Sequence, residues 1–428
     1  MKFLSSNKLL KSTLIYTVCS GVNKAVPFLI LPILSYYLLP QDFGIVANYN
    51  VLFVVVTLLV NIGLDGAISA RYYTLSKSEI KIFVFNGLLI VVGATVIVGL
   101  VVILFSSVIY NWFKVSIEYQ LWSVISSLFA VITTLNLALW RLEEKPIQYG
   151  TYEISQTLIN VMISLVLVIS FNKGWAGRLD GIIISTILYG IFSLWFLFRR
   201  SYVQIQLDKS VVKAILSFGI PLIPHALSIW LRSGADRVII TKFFGEYHTG
   251  LYATGFQFGV FIAFVTMAFN NAFVPYLYKN LSEQNQDVLL KNKIKLVKLT
   301  YLCIIGYVLM GVLFTFASDF LIKNFFSDKY IEAKDFIVWA IISQVFQGFY
   351  LLFVNYLFFA QRTKLLASIT ISCSLLQVIV SYILVQSMGP LGAAYSSVIV
   401  SVLNFFLVML AATRVLRMPW LNMLRKRF

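Results

Sequence analysis

Twelve long apolar runs divide this chain, and they leave it one class of fold. They fall at about 12–38, 44–66, 82–109, 120–140, 150–171, 179–198, 213–241, 249–276, 296–320, 334–360, 365–387 and 391–413. A helix crosses a bilayer in roughly 20 mainly apolar residues, and each run is long enough. Hydrocarbon offers the backbone no hydrogen-bond partner, so only helices and closed barrels span it. Barrel strands are about 10 residues long and alternate polar with apolar. The runs here are longer and continuous, and they predict helices. Composition agrees: 60% of the 428 residues are hydrophobic and 12% charged, against roughly 25% charged in soluble domains. The expected fold is an all-α polytopic membrane protein with about twelve transmembrane helices.

The net charge of +17 raises the question of nucleic acid as a partner. Position answers it, because the basic residues sit in short loops between apolar runs. Of the 34 lysines and arginines, 24 fall on the side that holds the N-terminus and 7 on the other; Lys24, Arg232 and Arg237 lie inside runs. Cytoplasmic loops carry the excess of basic residues. Both termini are therefore expected in the cytoplasm. Lys2, Lys8 and Lys11 ahead of an apolar run imitate a leader peptide. No small-x-small site closes that run, which continues past Lys24 to Leu39, so it is expected to stay as the first span. No loop has the length of a soluble domain; the polar stretch near 277–295 is expected to extend helix ends.

Cys19, Cys303 and Cys373 lie in apolar runs without a CxxC spacing, and His225 and His248 are the only histidines. That set offers neither a disulfide framework nor a metal site. No cofactor and no metal are expected.

Internal similarity relates the two halves. Pro27 and Pro32 precede Gly44-Ile45-Val46-Ala47, as Pro221 and Pro224 precede Gly250-Leu251-Tyr252-Ala253. Val161-Met162-Ile163-Ser164 matches Val378-Ile379-Val380-Ser381, and Gly181-x-x-x-Ser185-Thr186 matches Gly392-x-x-x-Ser396-Ser397. The offsets are 206, 217 and 211 residues, each near half the chain. A parallel duplication into two six-helix bundles, 1–208 and 209–428, is expected, an arrangement common among transporters.

Polar stripes mark the candidate site. At helical spacing, Thr13, Thr17, Ser20, Lys24 and Pro27 share one face, and Pro221, His225, Ser228, Arg232 and Asp236 another. Glu153, Thr157, Asn160 and Ser164 do the same in the fifth run, and Thr370, Ser374, Gln377 and Ser381 in the eleventh. Such stripes are costly against lipid, so they either pack between helices or line a polar cavity. Lys24 lies too deep to snorkel to the interface. Lys24, Arg232 and Arg237 are the candidate substrate-binding cations, and Asp236 is a coupling group or a structural partner of Arg232. Asn160, Gln377 and His225 are candidate cavity-lining residues. The prolines are expected kinks.

The segments PFLILPILSYYLLPQDFGIVANYN (27–50), GLDGAISARYY (63–73), FGIPLIPHALSIWLRSGADRVIITKFFGEYHTGLYATG (218–255) and GPLGAAYSSVIV (389–400) resemble the polysaccharide transporter family. That family includes Wzx-type O-antigen flippases and lies within the multidrug/oligosaccharidyl-lipid/polysaccharide exporter superfamily. The resemblance runs the length of the chain. It implies a pair of six-helix bundles working by alternating access. Its implied cargo is an undecaprenyl-pyrophosphate-linked oligosaccharide, an O-antigen or related repeat unit, carried from the cytoplasmic to the periplasmic face. Membrane lipids and polysaccharide polymerase machinery are the implied partners. The interior cations suit such an anionic cargo. Two other functions fit the sequence less well. A cation-coupled multidrug exporter of the same superfamily needs interior carboxylates, and the mid-membrane charges here are mostly positive. A membrane-embedded polysaccharide polymerase or ligase needs an acid–base constellation in periplasmic loops, and these are short.

Overall fold

The computed structural model describes residues 15–16, 19, 21–23, 25–26 and 28–420. Among them there is no strand. The helices are α1 (Leu31–Tyr37), α2 (Pro40–Asn61), α3 (Leu64–Arg71), α4 (Lys77–Leu104), α5 (Ser106–Phe113), α6 (Ile117–Leu142) and α7 (Pro146–Leu165). They continue as α8 (Gly174–Arg199), α9 (Lys209–Gly219), α10 (Ile223–Leu281), α11 (Gln286–Phe325), α12 (Lys334–Phe359), α13 (Thr363–Met388) and α14 (Leu391–Val415). Eleven helical segments among the described residues are long and apolar enough to cross a membrane. Each covers one expected run from 44–66 onward. The run at 12–38 lies partly outside the described residues.

Helix boundaries follow local chemistry. Proline opens α2 and α7, where its missing N–H would have had no partner. Ser76 and Glu79 form a reciprocal cap at the start of α4, with Ser76 N–H donating to Glu79 Oε2 at 2.7 Å and Glu79 N–H to Ser76 Oγ at 3.3 Å. Asp208 and Asn285 accept from the first N–H groups of α9 and α11. The 40 residues of α11 are about 60 Å long at 1.5 Å per residue, twice the hydrocarbon thickness. Its first turns, with Lys291, Lys293 and Lys295, form the helix extension expected near 277–295.

One break occurs inside a run that read as continuous, and another falls between two expected runs. Ile62 and Gly63 both take left-handed backbone (φ 46 and 65) and divide the 44–66 run into α2 and α3. Gly245, at φ 83 and ψ 178, interrupts α10 between the seventh and eighth spans, a conformation open essentially to glycine alone. Pro221 sits in a 3-10 turn, Ile220–Leu222, between α9 and α10, as its reading as a kink implied. Pro27 lies outside the described residues.

The chain packs as two compact units, Met1–Gly250 and Leu251–Phe428. The first reaches past residue 208 because α9 and the front of α10 pack onto α2–α4. Trp230 Nε1 donates to the Val51 carbonyl at 3.1 Å, and Asn48 Nδ2 donates to Thr241 Oγ1 at 2.8 Å. Further along, two chain segments cross at paired glycines. A Cβ on Gly44 would fall 1.9 Å from the Glu246 carbonyl oxygen, and a Cβ on Gly250 would fall 1.8 Å from that of Pro40. Residues 40 and 246, like 44 and 250, are 206 apart, so the contact is reciprocal under the internal repeat. In the second unit α12 packs on α14, with Ser343 Oγ 3.0 Å from Ser401 Oγ. Asn355 Nδ2 donates to Asn270 Oδ1 at 2.7 Å.

Candidate functional site

The described part of the candidate site is clearest where α7 meets α8. A π-helical segment, Val166–Ser170, follows α7, and the chain turns back into α8 at Gly174 (φ 55). Gly177 and Gly181, four apart, let α8 approach: a Cβ on Gly181 would lie 2.2 Å from Ser164 Oγ. Small residues at this spacing allow close packing of membrane helices. Between them stands Arg178, half-buried. Its Nη1 donates to Asn160 Oδ1 and to Ser164 Oγ, both at 2.6 Å. Asn160 Nδ2 in turn donates to Ser185 Oγ at 3.0 Å. Asn160 is ten residues from the end of the segment Pro146–Ser170, about 15 Å along the helix axis. The guanidinium thus meets α7 well inside a segment long and apolar enough to span a membrane.

Every acceptor of Arg178 is neutral. Among the described residues it makes no ion pair. The nearby carboxylate of Asp180 is turned to Lys173 (3.4 Å) and to the Tyr119 hydroxyl (3.1 Å). The neutral groups satisfy part of the guanidinium's hydrogen bonding and leave its charge uncompensated. Arg178 was not among the sequence candidates, because it falls in the polar stretch 172–178 between the expected runs 150–171 and 179–198. Two signals pointed to it: the Gly177–Gly181 spacing around it, and the Asn160–Ser164 stripe that its side chain meets.

The corresponding seam in the second unit lacks the cation. Gln377 Nε2 on α13 donates to Ser396 Oγ at 2.9 Å and Ser397 Oγ at 3.4 Å on α14. By the offsets of 217 and 211, Gln377 answers to Asn160, Ser381 to Ser164, and Ser396 to Ser185. The position answering to Arg178 is Gly389, in the turn before α14 with φ 73. Ser381 Oγ finds no hydrogen-bond partner among the described residues. A seam of this kind therefore forms without an arginine, and packing alone does not explain Arg178.

Lys24 lies outside the described residues. The neighbouring Asn23 accepts from Thr157 Oγ1 at 2.9 Å, which joins the α7 stripe to the first helical segment as well. Arg232, Asp236 and Arg237 lie along α10 in the first unit. Asp236 is buried and the two arginines half-buried, and all three have interaction partners. His225 stands one helical repeat earlier on α10 and is exposed. Asn160 and Gln377 are engaged between helices in their respective units, as described. Among the described residues no cluster of histidine, cysteine or acidic groups has the makings of a metal site, and the three cysteines are buried as free thiols.

Comparison with known proteins adds the following. A family model described as "Polysaccharide biosynthesis protein" matches residues 33–335. The chain is 27% identical over 378 residues to Lsg locus protein 1 of Haemophilus influenzae, covering 87% of this chain and 89% of that one. In structure it is similar to an inward-facing multidrug resistance MATE family transporter of the MOP superfamily. The TM-score is 0.75 at 14% identity, over 93% of this chain and 94% of the other. It is also similar to the lipid II flippase MurJ in an inward closed conformation. There the TM-score is 0.74 at 11% identity, over 94% and 87% of the two chains. At those identities the two structures speak for the fold, which is the expected all-α polytopic one.

Proposed function

Because the chain belongs to the polysaccharide biosynthesis protein family, we propose that it is a flippase carrying a polyprenyl-pyrophosphate-linked oligosaccharide from the cytoplasmic to the periplasmic face of the bacterial inner membrane. It is a multi-pass membrane protein whose fold is that of transporters rather than of enzymes. One of those transporters is a lipid II flippase, and we extend a lipid-linked sugar cargo to this chain. The repeats 1–208 and 209–428 are its two moving bundles, with both termini in the cytoplasm.

The observation that carries this reading is the Arg178 guanidinium, inside the membrane with neutral partners only. Charges interact more strongly there than in water, because the surrounding dielectric is lower. A guanidinium offers planar paired donors that match phosphate oxygens. An arginine neutralised by a carboxylate has little left for a cargo; one held by an amide and a hydroxyl keeps its net charge. Arg178, with Lys24, Arg232 and Arg237, therefore suits a pyrophosphate or acidic sugars and disfavours a cationic drug. Asn160, Gln377 and His225 line the polar path, and Asp236 couples transport or steadies Arg232.

The test is surface glycan display in a strain lacking the chromosomal copy. Wild-type protein should restore display. Arg178→Gln should lower it about tenfold or more, the value of a charge-assisted hydrogen bond, at unchanged abundance in the membrane. Arg178→Lys should retain part of it. Parental display by Arg178→Gln at equal abundance excludes Arg178 from cargo binding.

A further inference from the structure

A second basic site, away from the Arg178 seam, lies where α4, α6 and the strand-free loop after α8 meet. A cavity of about 360 Å³ opens there, lined by Lys77, Lys81, Lys145, Arg200, Glu143 and Tyr202 among others. That is within the range of small-molecule sites, roughly 300–1,000 Å³. Four cations face one carboxylate.

The carboxylate is held by one side of the cavity. Glu143 takes Arg200 Nη2 at 2.5 Å, Lys145 Nζ at 2.9 Å, and the Tyr202 hydroxyl. Burial alone would raise its carboxyl, but the hydrogen bonds from Tyr202, Lys145 and Arg200 outweigh burial and hold it below the usual carboxylate range. Arg200 is further fixed by Asn136 Oδ1 at 2.9 Å and by the Trp140 ring, 5.2 Å from its centroid. Tyr202 meets the Tyr72 hydroxyl at 3.1 Å. The wall is rigid as well. Asn86 Nδ2 donates to the Gln206 carbonyl at 2.8 Å, and Asn86 Oδ1 accepts the Asp208 N–H at 3.0 Å, tying the loop to α4.

The other side is uncompensated. Lys77 and Lys81 are i and i+4 on α4, so their ammonium groups repel across one helix face. Among the described residues neither side chain has a hydrogen-bond or ion-pair partner. Glu79, the acid nearest in sequence, is committed to the Ser76 cap. Two lysines without a protein partner beside this cavity, at the end of a helix long enough to span a membrane, leave it with an excess of positive charge that suits an anion at the membrane surface.

We propose that this cavity binds the phosphate group of a membrane lipid, with Lys77 and Lys81 as its direct ligands and the Glu143–Arg200–Tyr202 cluster as its wall. Two lipids carry that chemistry: an anionic phospholipid, and a polyprenyl pyrophosphate such as the proposed cargo. The placement of the cavity at the cytoplasmic surface rests on the orientation proposed above; binding itself does not require transport.

The probes are phosphatidylglycerol, phosphatidylcholine and farnesyl pyrophosphate, added to the purified full chain in detergent, with retention read by native mass spectrometry. Wild-type protein should retain an anionic probe over phosphatidylcholine. Lys77→Ala with Lys81→Ala should weaken that retention about tenfold or more, since each lysine near a lipid surface contributes several-fold. Lys77→Arg with Lys81→Arg should keep it. Preference for phosphatidylglycerol identifies a headgroup site, and preference for farnesyl pyrophosphate a cargo site; either supports the phosphate site. If the alanine pair lowers the unfolding temperature, Lys77→Gln at its exposed position is read in its place. Equal retention of both anionic probes by wild type and alanine pair overturns the proposal. So does an equal loss in Lys323→Ala with Lys329→Ala, which removes the same charge elsewhere. Loss of binding with intact glycan display leaves the flippase reading standing. Intact binding with no flipping leaves this site standing.

Discussion

Arg178 keeps a charge in the membrane on neutral hydrogen bonds alone, 2.6 Å to Asn160 and 2.6 Å to Ser164. That arrangement separates holding the side chain from neutralising it. Asn160→Asp places a carboxylate at the same acceptor position and should do both. The expected outcome is a more stable protein, by roughly 1–2 kcal/mol as a neutral hydrogen bond becomes charge-assisted, together with impaired transport. Thermal unfolding and glycan display, measured on the same variant, check the pair of effects. Stabilisation with undiminished display means that Arg178 serves structure only. The sequence displayed half of this site. Asn160 and Ser164 were legible as polar positions at helical spacing and Ser185 as part of a repeat motif, and the structure joins all three. Arg178 was not, because a charged residue four positions into a helix looks like a loop cation until its neighbours across the helix contact are known. Lys24 remains a sequence candidate outside the described residues, and Arg232 and Arg237 each have an interaction partner.

At the scale of helices, hydropathy located every described span, because an apolar run of this length has one stable form in a bilayer. Breaks inside the runs were hidden for the same reason. Ile62-Gly63 lies inside the 44–66 run between Asn61 and Asp65, and two polar residues near the end of a span do not by themselves signal two left-handed residues. The repeat was visible as short matching motifs; their meaning lay in contact geometry. Gly44 and Gly250 match because each must leave room for a carbonyl oxygen from the other segment, at 1.9 and 1.8 Å from a would-be Cβ. Gly44→Ala should therefore destabilise the protein by about 1–3 kcal/mol, the usual cost of overpacking. Gly93→Ala is the control. It lies within α4 with nothing inside 4 Å of its would-be Cβ, so alanine there should be neutral or stabilising by up to about 1 kcal/mol. Unfolding temperatures of the two variants decide it; equal values mean that the crossing is not close-packed in solution.

For the whole molecule, fold and family follow from the spans and the comparisons. Eleven described spans, the family match over residues 33–335 and the transporter-like fold agree on a multi-pass membrane protein of the polysaccharide biosynthesis family. The cargo and the direction rest on charge: uncompensated guanidinium in the membrane, and an excess of basic residues on the side proposed as cytoplasmic. Purified protein reconstituted into vesicles with a fluorescent polyprenyl-pyrophosphate-linked oligosaccharide separates a flippase from any other member of this fold. A membrane-impermeant reagent that quenches the outer leaflet reads how much cargo has crossed. With wild-type protein the inner-leaflet pool should become accessible within minutes, while vesicles with Arg178→Gln protein remain close to protein-free ones. Cargo that stays protected in wild-type vesicles, while a cationic dye is carried across them, contradicts the flippase and makes the chain a drug exporter.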